Sequence, residues 1–327
     1  MKKDKSLVTI NWKKRGFIAA IMIVLILFIS LNFIAAFQAW NFTHFETSVN
    51  STVTLNENSS FTPKAKAILF GVKYPKPVNA DVDLDFVQVD TIPGKYNLEI
   101  WRFDMEPSKG VVALFHGYKA TKSSLWKEAL AFYRMGYSVV LVDFRASGNS
   151  DGNQCTIGYY EAEDVQNTLA WCRTNYPNKN VFLYGVSMGA AAVIRSVGEL
   201  HIKPDGILLQ SSFATMLGTA KNRFELMGVP SFPSAHLLTF WGGYLNDFDA
   251  LSFNPYQYAK NINCPTLIIH GMLDNRVSYT DSKSIYTNIS GPKEFATFSK
   301  SGHESILNKE EANWIYLVTN FMETHNH

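Results

Sequence analysis

The chain has 327 residues, 46% of them hydrophobic and 18% charged, with a net charge of +2 and three cysteines. The hydrophobic share excludes a disordered polymer, and three cysteines exclude a disulfide-stapled scaffold and leave at least one thiol unpaired. Divided along the chain, the charge says more: Lys2, Lys3, Lys5, Lys13, Lys14 and Arg15 against Asp4 put +5 into the first 15 residues, so residues 16–327 carry −3. A slightly acidic body with no long basic run gives no support to a nucleic-acid partner.

After that basic tail (1–15) comes Gly16 and then Phe17 to Phe37, 21 residues without a charge. As a helix at 1.5 Å per residue the run reaches about 31 Å, the thickness of a bilayer core. Trp12 and Trp40 flank it, where amphipathic rings favour the interface. The run is longer than the core of a cleavable signal peptide and no small-x-small site follows it, so residues 16–37 are predicted as an uncleaved signal anchor. Six basic residues precede the span and none occurs between Gln38 and Pro63. The N-terminus is therefore expected in the cytoplasm and the body outside it, on a single-pass protein of the cell membrane. Residues 38–79, rich in Asn, Ser and Thr at their start, read as an extracytoplasmic tether. Glycosylation triplets begin at Asn41, Asn50 and Asn58 and matter only in a eukaryotic secretory pathway.

From about residue 80 the patterning changes. Val82, Leu84 and Phe86 alternate with Asp81, Asp83 and Asp85 as in a half-buried strand. With the Pro93-Gly94 turn signal and the strand Tyr96 to Phe103, they predict an antiparallel hairpin at a sheet edge. Short apolar runs then alternate with helical segments. The runs are Val111–Phe115, Val139–Val142, Val181–Tyr184, Ile207–Leu209, Thr266–Ile269 and, more weakly, Phe295–Phe298. The helices include Ser124–Arg134, Tyr160–Asn175 and Met188–Leu200, and a last one carries Trp314, Leu317, Val318 and Phe321 on one face. Strands apolar throughout, interleaved with amphipathic helices, imply a mostly parallel sheet covered on both faces. The stretch 213–258 is an insertion with ten aromatics in 46 residues, more than a crossover needs.

The pattern G-x-S-x-G occurs at Gly148–Gly152 and at Gly185–Gly189. A nucleophile elbow requires a strand before it and a helix after it. Ser187 has both, whereas Ser150 sits among polar turn residues, so Ser187 is the predicted nucleophile and Ser150 a loop residue. A serine hydroxyl needs a base and a group that orients the base. Of the eight histidines, His325 and His327 lie in the tail, His44 in the tether, His201 at a helix end and His236 in the insertion. His116 and His270 end strands and precede glycines. His303, in a loop past the last strand, is the predicted base. Asp274, just beyond the run at 266–269, is the predicted orienting acid, which gives the chain order Ser, Asp, His. The oxyanion would be held by the N–H groups of Met188 and of Tyr118, with Lys119 as the alternative to Tyr118.

His116-Gly117-Tyr118, Asp143-Phe144-Arg145 with Gly148 and Ser150, the elbow, Cys264 to Gly271 leading to Asp274, and Gly302-His303-Glu304 together resemble the α/β-hydrolase superfamily. The likeness covers residues 80–327 and is nearest to bacterial membrane-anchored serine hydrolases, lysophospholipase-like or serine aminopeptidase-like. It implies an α/β-hydrolase fold: a mostly parallel central sheet with helices on both faces and a cap at 213–258, behind one N-terminal transmembrane helix. The expected activity is cleavage of a small-molecule or lipid acyl ester, without metal or organic cofactor. Peptidase or acyltransferase chemistry and a catalytically idle tethered binding module are the alternatives. Three free thiols are expected, with pairing of Cys155 and Cys172 open only outside the cytoplasm.

Overall fold

The computed structural model describes residues 5–47, 71–82 and 87–326. A single helix, α1 (Lys5–Thr43), opens the chain; its part Lys14–Thr43 is long and apolar enough to cross a membrane. The eight strands that follow form one sheet: β1 (Gln88–Ile92), β2 (Leu98–Phe103), β3 (Val111–Phe115), β4 (Ser138–Val142), β5 (Val181–Val186), β6 (Gly206–Gln210), β7 (Thr266–Gly271) and β8 (Lys293–Phe298). Their order across the sheet is β1-β2-β4-β3-β5-β6-β7-β8. β1 and β2 pair antiparallel, as do β2 and β4; every other pairing is parallel.

The helices between the strands are α2 (Trp126–Arg134), α3 (Glu161–Asn175), α4 (Met188–Gly198), α5 (Met216–Leu226), α6 (Ser234–Tyr244), α7 (Pro255–Tyr258), α8 (Tyr279–Asn288), α9 (Ile306–Lys309) and α10 (Glu311–His325). Alternate residues of the central strands feed two cores. Val111, Ala113, Leu183 and Leu209 pack with Val165, Leu169 and Cys172 of α3 and with Val193 and Ile194 of α4. Val112, Leu114, Tyr184 and Leu208 pack with Phe132 of α2 and with Trp314, Val318 and Phe321 of α10. Both faces are thus dry, which is why β3 and β4 read as unbroken apolar runs.

Two expectations change. The edge hairpin is present, but its first strand is Gln88–Ile92 rather than the alternation at Val82 to Phe86, of which residues 83–86 lie outside the described residues. Residues 38–43 do not begin a tether. They continue α1, whose Ala39, Asn41 and Thr43 are buried along with Phe45. The side chains explain this, because α1 packs along α6, and Asn246 Nδ2 donates to Thr43 Oγ1 at 3.1 Å. Burial of Asn41 takes the first glycosylation triplet off the surface, and Asn50 and Asn58 lie outside the described residues. Cys155, Cys172 and Cys264 are free thiols.

Candidate active site

Ser187 stands between β5 and α4 with φ 54° and ψ −113°. A non-glycine residue held at such a φ costs on the order of 1–3 kcal/mol, and the surroundings must over-determine it. They do so by close approach. A Cβ on Gly185 would lie 2.7 Å from Ala190 N, and one on Gly189 would lie 2.2 Å from Phe115 O. Only glycines let the strand, the turn and the helix come this near to each other and to β3. The Ser187 N–H donates to Gln210 O at 2.8 Å, which pins the turn to β6. Met188 is the first residue of α4, where an N–H has no acceptor within the helix.

The structure brings Ser187, His303 and Asp274 into one hydrogen-bonded row. Asp274 lies in the turn that leaves β7, and its Oδ1 accepts from the N–H groups of Arg276 and Val277, both at 2.9 Å. Oδ2 remains for His303 Nδ1, 2.7 Å away. A carboxylate only accepts, so Nδ1 carries the proton; Nε2 is then free to accept from the Ser187 hydroxyl at 3.1 Å. Burial by itself raises the Asp274 pKa, but the hydrogen bond and charge of His303 and the two N–H groups outweigh it and hold the carboxyl below its ordinary value.

The loop after β3 closes the site from the other side. Gly117 is close enough that a Cβ on it would lie 3.6 Å from Ser187 Cβ, and Tyr118 and Met188 line the same cavity as Ser187 and His303. His116 fastens this loop. Its Nε2 accepts from Phe144 N–H at 3.2 Å, so its Nδ1–H donates to Gly117 O at 2.8 Å. Burial lowers its pKa, in keeping with a neutral ring. Ser150 is buried and away from this row, donating to Asp143 O at 2.7 Å and accepting from Glu99 N–H at 2.9 Å. His270 is bonded through Nδ1 to Ser282 Oγ at 2.9 Å. Among the described residues no group of three His, Cys, Asp or Glu side chains is arranged to hold a metal ion.

The cavity over Ser187 measures about 710 Å³. Leu226, Met227 and Leu238, from the stretch that the resemblance marks as a cap, line it. Ala39, Phe42 and Thr43 of α1, which sequence reasoning had put in a tether, form part of the wall. Tyr118 reaches across to them, its hydroxyl donating to Phe42 O at 2.6 Å. No periodicity marks these residues, because contact between segments 76 positions apart leaves no local pattern. Lys119, Arg223 and Arg276 also line the cavity. Lys119 is pushed down to about 8 by burial and by the charges of Arg223 and Arg276.

Comparison with known proteins agrees with the fold. Residues 106–231 match the family model described as serine aminopeptidase, S33. An uncharacterized Bacillus subtilis protein, YqkD, is 22% identical over 256 residues, which cover 75% of this chain and 84% of the Bacillus one. The lysophosphatidylserine lipase ABHD12 of Danio rerio is 26% identical over 221 residues, 62% of this chain. The chain spans only about half the length of the lipases it matches, 55% in the Danio protein. Among solved structures, the Pyrococcus furiosus esterase Pf2001 superposes with a TM-score of 0.64 at 22% identity, over 77% of this chain and 100% of the esterase.

Proposed function

The chain is a member of the α/β-hydrolase superfamily, and from that premise we propose that it is a membrane-anchored serine hydrolase that cleaves a carboxylic ester. The observation that carries the proposal is the Ser187–His303–Asp274 row at a strained strand-to-helix turn. Ser187 Oγ attacks the ester carbonyl while His303 Nε2 takes its proton, and Asp274 holds the imidazolium that forms. The N–H groups of Tyr118 and Met188 receive the oxyanion. Collapse of the tetrahedral intermediate expels the alcohol, which takes the proton from His303 and leaves the acyl group on Ser187. A water molecule, deprotonated by His303, then attacks the acyl-enzyme and releases the acid.

In this reading residues 16–37 cross the cell membrane once, residues 80–327 are the catalytic domain and 213–258 its cap. The basic tail stays in the cytoplasm and the domain lies outside. The mostly apolar walls of the cavity, and the names of the esterase and lipase relatives, favour an acyl ester over a peptide. A fluorophosphonate probe should label the wild type and leave Ser187→Ala unlabelled, and the wild type should hydrolyse a series of p-nitrophenyl esters of rising chain length. Equal labelling of the two proteins removes Ser187 from the mechanism. Labelling without ester turnover transfers the reading to a peptidase.

A further inference from the structure

The cap has a surface that a water-facing domain would not keep. Residues 226–246, 21 in a row, contain no Asp, Glu, Lys or Arg. Within this run α6 (sequence SAHLLTFWGGY) buries only Ala235, Thr239 and Gly243. Several large side chains of α6 and of the loop from α5 are exposed: Met227 by 66%, Phe232 by 74%, Phe240 by 46% and Tyr244 by 67%. An exposed apolar patch marks a contact with a membrane or a partner, and aromatic rings gather where a membrane meets water.

Its position relative to α1 identifies what covers it. Trp241 Nε1 donates to Asn32 Oδ1 at 3.1 Å. Asn32 lies five residues before Phe37, about 7.5 Å inside the apolar run at 1.5 Å per residue. Asn246 is tied to Thr43 farther along. A helix fastened at that level cannot remain in water if α1 crosses the bilayer with Phe17 to Phe37. The cavity wall joins the same two elements, with Ala39 and Phe42 from α1 and Leu226, Met227 and Leu238 from the cap, and it shares its space with Ser187 and His303.

We propose that residues 226–246 are a second membrane-embedded element, set in the leaflet at the C-terminal end of α1, and that the seam between α1 and the cap admits a bilayer-borne acyl ester to Ser187. The inference rests on α1 being a membrane span and on Ser187 being the nucleophile. It gives α1 a second role, as part of the substrate site as well as an anchor.

The test uses the full chain in phosphatidylcholine vesicles, on a Cys264→Ser background because that thiol, unlike Cys155 and Cys172, is not fully buried. Phe232→Cys and Phe240→Cys carry an NBD fluorophore, and Tyr316→Cys on α10, where the native side chain is 65% exposed, is the reference. Lipids with a nitroxide on the acyl chain should remove at least half of the emission at 232 and 240 and little at 316. Quenching at 232 and 240 no greater than at 316 overturns the proposal. So does shielding of both positions from nitroxide lipid and from aqueous iodide, which would mean that protein covers the patch. In a second measurement Phe232→Asp and Phe240→Asp should lower, at least tenfold, the ratio of kcat/KM for a long-chain monoacyl ester dissolved in the vesicles to that for a water-soluble short-chain ester. An unchanged ratio overturns the entry route. Quenching requires no catalysis, and Leu25→Cys in the apolar run of α1, labelled and quenched in the same way, reports that α1 is inserted. With α1 inserted, absence of quenching at 232 and 240 counts against this inference alone, whereas absence of Ser187 labelling counts against the hydrolase reading and leaves the membrane placement of residues 226–246 standing.

Discussion

Asp274 divides its carboxylate between two tasks, one oxygen closing its own turn and the other facing His303. That division makes Asp274→Asn informative. The amide can keep the turn through its oxygen, but its NH2 would then donate to His303 Nδ1, which places the ring proton on Nε2 where it can no longer accept from Ser187. On the proposed mechanism kcat falls roughly 10³- to 10⁴-fold with little change in KM, which ester kinetics would measure. The same carboxylate ties stability to pH. Its folded pKa is depressed, so its stabilisation is present above the ordinary carboxylate value of about 3.9 and is lost as pH falls through the lower folded value. Thermal melts of wild type and Asp274→Asn should therefore differ most near neutral pH, and the difference should narrow below about pH 4. A constant gap would show that Asp274 is not held charged by its surroundings. At this scale part of the hydrogen-bonded row was legible: the serine and the acid follow strands that read as apolar runs, and the histidine follows the weaker run that became β8. The bonds that separate His303 from His270 were not legible: His270, within β7, is bonded to Ser282, and His303, past β8, to Asp274, and neither segment shows its side-chain partner.

The elbow shows how elements constrain one another. Gly189→Ala would drive a Cβ into the β3 backbone at Phe115, so α4 must move off the sheet and take the Met188 N–H with it. We expect loss of ester turnover together with a destabilisation of about 1–3 kcal/mol, read from denaturant unfolding. A second constraint lies at the end of β4. Lys122 and Asp143 are fully buried and paired, and Glu99 completes the cluster at 2.8 Å from the Lys122 ammonium. Removing one partner leaves a buried charge uncompensated, so Lys122→Met should cost about 3–5 kcal/mol in the same measurement. The central strands were readable because β3, β4 and β5 are buried on both faces and are correspondingly apolar. The edges were less so. Of β1 only Ile92 is buried, so its sequence QVDTI has little apolar signal, and the stronger alternation just before it drew the expectation to Val82 and Phe86. What places β1 is its pairing with β2, Val89 opposite Trp101, a non-local contact.

Over the whole molecule, the net +2 is the sum of a +5 tail and a −3 body, and that asymmetry bears on orientation. In intact cells an added protease should digest the domain after residue 80 while leaving a fragment that contains the span; full protection would place the domain in the cytoplasm. The sequence by itself determined the alternating architecture, the apolar N-terminal helix and the three side chains of the proposed triad. Each of these is written in local periodicity, in charge-free length or in motif order along one segment. The tertiary structure alone decided that the end of α1 is part of the cavity and no tether, that Tyr118 reaches Phe42, and that Trp241 meets Asn32. These contacts join segments 76 and 209 positions apart. Side chains that meet only after the chain has folded leave no pattern within either segment, so packing is the only level at which they exist.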